Sequence, residues 1–156
     1  MSPTWPHLRP SAEPRPQCLQ SPWLDDPALA PAGGLERIVE YRSGRGEGGW
    51  HLPRLNPILA PFFGGDLLSG LLNLWADHPV RFPVPIVRVA AGEPWWFSPV
   101  IIREQAAGIA ARRADSGDIA FLEVYASRKI ATEIGLEIGD RLSIRILEGR
   151  HLDPAA

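Results

Sequence analysis

The chain has 156 residues, which is enough for one domain with a modest hydrophobic core. Its formal net charge of −2 supplies no overall basic field, so a nucleic-acid or anionic-membrane partner is not expected. The single cysteine, Cys18, excludes an internal disulfide framework and a cysteine-rich zinc site. No stretch approaches the roughly 20 apolar residues that span a bilayer, and the first residues lack the apolar core of a signal peptide. We therefore expect a cytoplasmic protein.

The N-terminal part is rich in proline: eight of the 17 prolines lie in residues 1–31. Proline fixes φ and removes a backbone donor, so this segment is unsuited to a helix or to the inside of a sheet. We predict a disordered tail over residues 1–33, followed by one folded domain over residues 34–150.

Apolar residues at alternate positions predict strands through most of the domain. The first strand, LERIVEYRSG, runs into the glycine-rich stretch GRGEGGW at residues 44–50. The next segment, HLPRLNPILAPFF, contains three prolines and is expected to be irregular or only briefly helical. Further strands are predicted at LLNLW, VRFPVPIVRVAAG, EPWWFSPVIIRE, QAAGIAARRA and DIAFLEVYA. Prolines limit VRFPVPIVRVAAG to an edge strand or an extended loop, and QAAGIAARRA is also compatible with a helix.

The C-terminal part combines a short helix with a final strand. Ser127 is a candidate N-cap for this helix, which carries Ile130 and Ile134 on one face and ends at Gly135. After the turn EIGD, residues 142–146 alternate between apolar and polar as a last strand. Many short strands joined by Gly and Pro turns predict a mainly β protein, built as a small closed β-barrel with one or two short helices.

The glycine-rich stretch follows a predicted strand, where successive backbone N–H groups can bind an anion. It lacks the Gly-Lys-Ser/Thr sequence of a Walker A loop. Because no helix is expected after it, it is not a dinucleotide fingerprint either. A plain glycine-rich turn is the alternative interpretation.

Three charged residues in the later strands are candidates for chemistry. Glu123 lies in the middle of FLEVYA among large apolar residues, so it faces either water on the outer side of the sheet or a polar cavity. Arg112 and Arg113 are candidate phosphate or substrate contacts, with pairing to a surface acid as the alternative. The four histidines have no metal-ligand spacing, so no histidine metal site is expected.

The chain resembles the CTP-dependent riboflavin kinase family, known from archaea, in the order of the segments GRGEG, SGLLNL, FSPVII and FLEVYASRKIATEIGLEIGDRLSIRIL. The resemblance covers roughly residues 37–147. It implies a six-stranded cradle-loop β-barrel that transfers the γ-phosphate of CTP to riboflavin, or to a similar small hydroxyl acceptor, and so forms FMN. It also implies Mg²⁺ as the cofactor. It leaves the oligomeric state, monomer or homodimer, open.

The resemblance also implies roles for individual residues. Asn73 would be a Mg²⁺ ligand, and Glu123 would be the catalytic group near the flavin hydroxyl. The family's threonine ligand is replaced here by Leu71, which cannot bind a hard cation. The nucleotide-binding loop would comprise Gly44, Arg45, Gly46, Glu47 and Gly48.

The Leu71 replacement leaves a second hypothesis open, a flavin- or nucleotide-binding barrel of the same family without turnover. A third hypothesis, a swapped-hairpin DNA-binding barrel, rests only on the segment ASRKIATEIGLEIGDRLSIRIL. DNA binding needs a basic surface, and this segment contains Glu133, Glu137 and Asp140. We therefore rank it last.

Overall fold

The computed structural model describes residues 34–44, 48–63, 72–127 and 129–149. A short 3-10 turn at Ala114–Ser116 follows the fifth strand. The proline-rich tail predicted for residues 1–33 lies outside the described residues. Within the described ranges the strands and α-helices, in chain order, are β1 (Leu35–Arg42), α1 (Gly48–Phe63), β2 (Leu72–Val80), β3 (Ile86–Ala90), β4 (Glu93–Ile102), β5 (Ala106–Arg113), β6 (Ile119–Tyr125), α2 (Ile130–Glu133) and β7 (Arg141–Ile146).

Six of the strands close into a barrel. Every neighbouring pair is antiparallel, and the order around the barrel is β4, β5, β6, β2, β1, β7 and back to β4. The closure depends on the length of β4: residues 93–97 pair with β3, and residues 100–102 pair with β7. β3 is therefore an extra strand beside the barrel. The predicted mainly β, closed six-stranded barrel is confirmed.

The barrel interior is filled by alternate residues of each strand. Most inward residues of β5 are small because there is little space for them. At Gly108, for example, a Cβ would stand 2.5 Å from Cγ1 of Val124 and 3.0 Å from the carbonyl oxygen of Tyr125. Small residues facing large ones suit the narrow interior of a six-stranded barrel. The large inward residues that are at most 5% exposed are Val39, Leu72, Leu74, Val100, Ile102, Leu122, Val124, Leu142, Ile144 and Ile146.

The helix α1 lies against the outer wall of the barrel. His51 contacts Trp95 of β4 edge-on, with 5.2 Å between the ring centroids. Leu55 and Leu59, four residues apart and therefore on one face of the helix, are fully buried. The outward residues of β4 and β5 that are at most 3% exposed are Trp95, Phe97, Ile101, Ala107 and Ile109.

The 16-residue helix α1 contradicts the expectation of an irregular or briefly helical segment. Pro53, Pro57 and Pro61 recur every four residues, so they share one side of the helix. Pro53 and Pro57 are exposed, which places the missing N–H donors toward solvent. Leu55 and Leu59 are buried on the opposite side. This apolar packing outweighs the hydrogen bonds that the prolines remove.

The strand predictions are confirmed. Within the described residues β3 pairs with β4 alone, as an edge strand should, and QAAGIAARRA forms β5 and not a helix. Gly135, with φ of +72°, directly follows Ile134, the C-cap residue of α2, and is in the left-handed conformation predicted for the end of this helix. The N-cap prediction was wrong: Lys129 occupies that position without a side-chain cap. Ser127 lies two residues earlier, outside the first turn.

Candidate active site

A row of polar side chains crosses the outer wall on three neighbouring strands. Arg42 on β1 is the register partner of Asn73 on β2, and Asn73 is the register partner of Glu123 on β6. These side chains point outward because Leu72 and Leu74, on either side of Asn73 in the chain, are buried in the interior. We call Arg42, Asn73 and Glu123 the polar row.

Gly44 lies against the middle of the polar row. A Cβ at Gly44 would stand 2.5 Å from Nδ2 and 3.5 Å from Oδ1 of Asn73, which is too close for any side chain to fit without a shift. Asn73 itself is only 7% exposed. The structure thus brings the first residue of the glycine-rich stretch into contact with the candidate Mg²⁺ ligand, one strand away from the candidate catalytic carboxylate.

The helix α1 begins at Gly48, at the other end of the glycine-rich stretch. The expectation that no helix follows this stretch was therefore wrong, although the rest of a dinucleotide-binding βαβ unit is not formed by the described residues. Gly48 is four positions after Gly44 in the chain, a reach of about 14 Å at most. The N-terminus of α1 carries no acidic residue in its first turn, and such a helix start favours an anion. Arg45, Gly46 and Glu47 lie outside the described residues.

The carboxylate of Glu123 is held by a buried tyrosine. The hydroxyl of Tyr125 donates a hydrogen bond of 3.1 Å to Oε2 of Glu123. Tyr125 is fully buried, and burial together with the nearby charge of Glu123 raises the pKa of its phenol far above the ordinary value. Tyr125 therefore stays a neutral donor at any physiological pH. Glu123 lies on the outer face of the sheet and is half-buried, so the outer-face interpretation of this residue is the one the structure shows.

Two aromatic side chains lie next to the polar row on the same wall. Trp75 and Phe121 are register partners on β2 and β6, each two residues from a member of the polar row, and both are half-buried. Their ring centroids are 5.0 Å apart at an interplanar angle of 42°. The guanidinium carbon of Arg42 lies 5.0 Å from the centre of the Trp75 ring, and Nη2 donates to Oε2 of Glu40 at 3.3 Å. We call Trp75 and Phe121 the aromatic pair.

Arg112 points into one end of the barrel and is 4% exposed. Its guanidinium carbon lies 4.6 Å from the ring centre of Phe82 and 4.9 Å from that of Trp96. Nη1 donates to the Val80 carbonyl oxygen at 2.9 Å, and Nη2 lies 3.7 Å from Oδ1 of Asp118. Burial lowers the pKa of Arg112, and the charge of Asp118 opposes that shift. Through these contacts, the Arg112 side chain is packed among the residues at this end of the barrel.

Arg113 follows Arg112 on β5 and therefore points to the opposite, outer face. Its Nη1 lies 3.8 Å from Oε2 of Glu93, in a half-exposed ion pair across the β4–β5 ladder. Ala111, not either arginine, is the register partner of Glu123. The two candidate arginines are thus not brought together, and neither is a member of the polar row.

Sequence reasoning missed Tyr125, the aromatic pair and Arg42. A signal for the first two was available, because residues two apart on a strand share a face. Glu123 therefore predicts Phe121 and Tyr125 as its neighbours, and Asn73 predicts Trp75. The cross-strand partners could not be found this way, since the register between distant strands is not visible in local periodicity.

Asn73 and Glu123 of the polar row carry oxygen atoms of the kind that Mg²⁺ takes when it is bound together with a phosphate. Among the described residues, no group of three or more His, Cys, Asp or Glu side chains could hold a metal ion. Asn73 and Glu123 are cross-strand neighbours, so their Cβ atoms are about 5 Å apart. Mg²⁺ often takes only one or two protein oxygens and completes its shell with phosphate oxygens and water. Leu71, at the position of the family's threonine ligand, lies outside the described residues.

No family model matches the chain, and no curated protein matches it significantly. In the part of the chain that the structure describes, no helix has both the length and the apolar character needed to cross a membrane.

Proposed function

We propose that the protein is a cytoplasmic, riboflavin kinase-like phosphotransferase. It moves the γ-phosphate of CTP to a hydroxyl of riboflavin, or of a similar small acceptor, and forms FMN and CDP. The observation that carries the proposal is the contact of Gly44 with Asn73, directly across from Glu123. Phosphoryl transfer depends on positioning and on electrostatics. Gly44 at the start of the glycine-rich stretch, a hard oxygen ligand and a carboxylate lie on one face of the barrel and would supply both.

The nucleotide half of the site is formed by the backbone. Gly44 has no side chain to separate the loop from Asn73, so the loop can run close to a bound triphosphate. The first N–H groups of α1, from Gly48 onward, have no partners within the helix and can donate to phosphate oxygens. Binding through amides positions the γ-phosphate without a lysine of the Walker type.

The acceptor half of the site is formed by Glu123. Its carboxylate orients the acceptor hydroxyl and takes the hydroxyl proton as the new O–P bond forms and the bond between the γ-phosphorus and the β,γ-bridging oxygen breaks. CDP leaves with the bridging oxygen, and Glu123 releases the proton to solvent. Tyr125 keeps the carboxylate in place through its hydrogen bond.

Asn73 would hold Mg²⁺ on the nucleotide phosphates, where the ion neutralises charge that builds up on the transferring group. Leu71 cannot supply the second ligand, and water can replace it with weaker metal binding. This departure favours one alternative, a barrel that binds flavin or nucleotide without turnover. The two functions share the site and differ only in product formation.

Incubation with riboflavin, CTP and Mg²⁺, followed by chromatographic separation of the flavins, tests the proposal. We expect FMN and CDP in equal amounts, with Glu123→Gln lowering kcat by about 10²-fold or more, the usual contribution of a positioned proton acceptor. Absence of FMN at high enzyme concentration contradicts the proposal. If no FMN forms but riboflavin or CTP raises the melting temperature, the protein is the non-catalytic binding barrel. If neither ligand raises the melting temperature, the kinase and the binding barrel are both contradicted.

A further inference from the structure

The aromatic pair is placed where the flat part of an acceptor would lie. Trp75 is two residues from Asn73 on β2, and Phe121 is two residues from Glu123 on β6, with all four side chains on the outer wall. Two residues along a strand span about 7 Å. A polyol chain of a few carbons covers that distance between a ring and a reacting hydroxyl.

The chemistry of the aromatic pair suits a planar heterocycle. Both rings are half-buried on the outer wall, in contrast to the outward rings Trp95 and Phe97 of β4, which are at most 3% exposed. Arg42 lies over Trp75 and donates from Nη2 to Glu40, and its side chain is about half exposed. Its other guanidinium N–H groups can therefore donate to a ligand beside the pair. A ring with carbonyl oxygens along one edge can stack on the aromatic faces and accept hydrogen bonds from the guanidinium.

We propose that Trp75 and Phe121 form the binding subsite for the flat heteroaromatic ring of the acceptor, with Arg42 at its polar edge. This inference rests on the proposed function for the direction of the acceptor chain, which runs from the ring toward Glu123. The subsite selects an isoalloxazine-like ring, and the polar row selects the hydroxyl. A cross-strand aromatic pair also stabilises the sheet, so the test must separate ligand binding from folding.

Lumiflavin, which carries the isoalloxazine ring without the ribityl hydroxyls, is the probe. Its fluorescence is quenched when it stacks on tryptophan, and its binding needs no phosphoryl transfer. Titrations compare the wild type with Trp75→Leu, Phe121→Leu and Trp75→Phe, each checked for folding by its melting temperature. Trp96→Leu is the matched control, because Trp96 packs on Arg112 at the barrel end.

We expect Trp75→Leu and Phe121→Leu to weaken lumiflavin binding about tenfold or more, the usual scale for loss of an aromatic stacking partner. Trp75→Phe should keep most of the binding, and Trp96→Leu should change it less than about twofold. The inference is overturned if lumiflavin does not bind, or if it binds the two leucine variants as tightly as the wild type. If FMN forms at the same rate in the wild type and in Trp75→Leu, the subsite is wrong and the proposed kinase reaction stands. If lumiflavin binding depends on Trp75 but no FMN forms, the subsite stands and the proposed kinase reaction is wrong.

Discussion

Asn73 and Glu123 face each other across β2 and β6, 50 positions apart in the chain but direct register partners in the barrel. Asn73 also touches Gly44, and Glu123 accepts a hydrogen bond from Tyr125. Two strands therefore carry the oxygen donors. The buried phenol of Tyr125 holds the carboxylate of Glu123, and the missing side chain of Gly44 leaves room for the amide of Asn73. Each of these two contacts can be changed separately.

Replacing Gly44 by alanine tests the contact with Asn73. The new Cβ would stand 2.5 Å from Nδ2, so the amide or the loop must move. The φ of Gly44 is outside the left-handed region, so the effect is steric. Because the clashing atom is at the end of the Asn73 side chain, we expect Gly44→Ala to lower the free energy of unfolding by only about 1 kcal/mol. The displaced amide should weaken CTP binding at least tenfold in calorimetric titration.

Two variants control for this interpretation. Ser43→Ala, at the exposed neighbouring residue, should behave as the wild type. The double variant Gly44→Ala/Asn73→Ala removes the clashing amide, so its loss of stability should be smaller than the sum of the two single losses. Strict additivity would show that Gly44 and Asn73 do not interact.

Because of Tyr125, we expect the free energy of unfolding to depend on pH in the alkaline range. Its pKa in the folded protein is raised above the unfolded value, which is about 10. The folded state therefore retains a proton that the unfolded state loses, and the stabilisation is complete below pH 10 and declines as pH rises above it. We expect the free energy of unfolding of the wild type to fall by up to about 1.4 kcal/mol per pH unit from this group alone.

Tyr125→Phe removes the titrating phenol and should flatten the alkaline decline measured by urea unfolding between pH 9 and 11. Tyr41→Phe replaces the chain's other tyrosine and keeps the decline due to Tyr125. At neutral pH, Tyr125→Phe also lowers the free energy of unfolding by about 1–2 kcal/mol because it deletes a hydrogen bond to a charged group. An alkaline profile identical to that of the wild type would contradict the placement of this phenol.

Replacing Arg112 tests whether this residue has a structural role or contacts a substrate. Its guanidinium is enclosed by Phe82 and Trp96 and donates to Val80. We expect Arg112→Ala to lower the free energy of unfolding by about 3 kcal/mol or more, since it empties a packed site and leaves buried partners unsatisfied. The folded fraction should keep its Km for CTP and for riboflavin within about twofold.

Arg113→Ala is the matched control for Arg112, on the outer face of the same strand. Its ion pair with Glu93 is about half exposed, so its loss should cost about 1 kcal/mol or less. Chemical denaturation and steady-state kinetics on both variants measure the contrast. A large rise in either Km for Arg112→Ala at full folding would make Arg112 a substrate contact after all.

Local alternation was sufficient to predict the strands that bury one face, as residues 142–146 show. β5 is buried on both faces, so it lacks this alternation, and its sequence was also compatible with a helix. The helix α1 was not predictable from composition, since three prolines outweigh the leucine spacing in local propensity. The four-residue repeat of the prolines is compatible with a helix, but this becomes clear only when the buried face is known, because the prolines then lie on the opposite side. Likewise, Arg112 and Arg113 are equivalent in the sequence, and only the position of the barrel interior separates them.

The sequence indicated part of the candidate site. The resemblance singled out Gly44, Asn73 and Glu123, which lie at one place in the fold. The supports around them depend on pairing between strands that are distant in the chain, such as Trp75 on β2 with Phe121 on β6. Such registers follow from how the whole barrel closes, and no window of local sequence contains that information.

Calorimetric titration of CTP with and without Mg²⁺ tests most directly whether Gly44 and Asn73 hold a metal–nucleotide complex. We expect Mg²⁺ to tighten CTP binding to the wild type about tenfold or more and to leave binding by Asn73→Ala almost unchanged. Asn56→Ala, at the chain's other asparagine, should retain the full Mg²⁺ effect. A wild type that does not bind CTP, or an Asn73→Ala variant with the same Mg²⁺ dependence as the wild type, would contradict the assignment of this site.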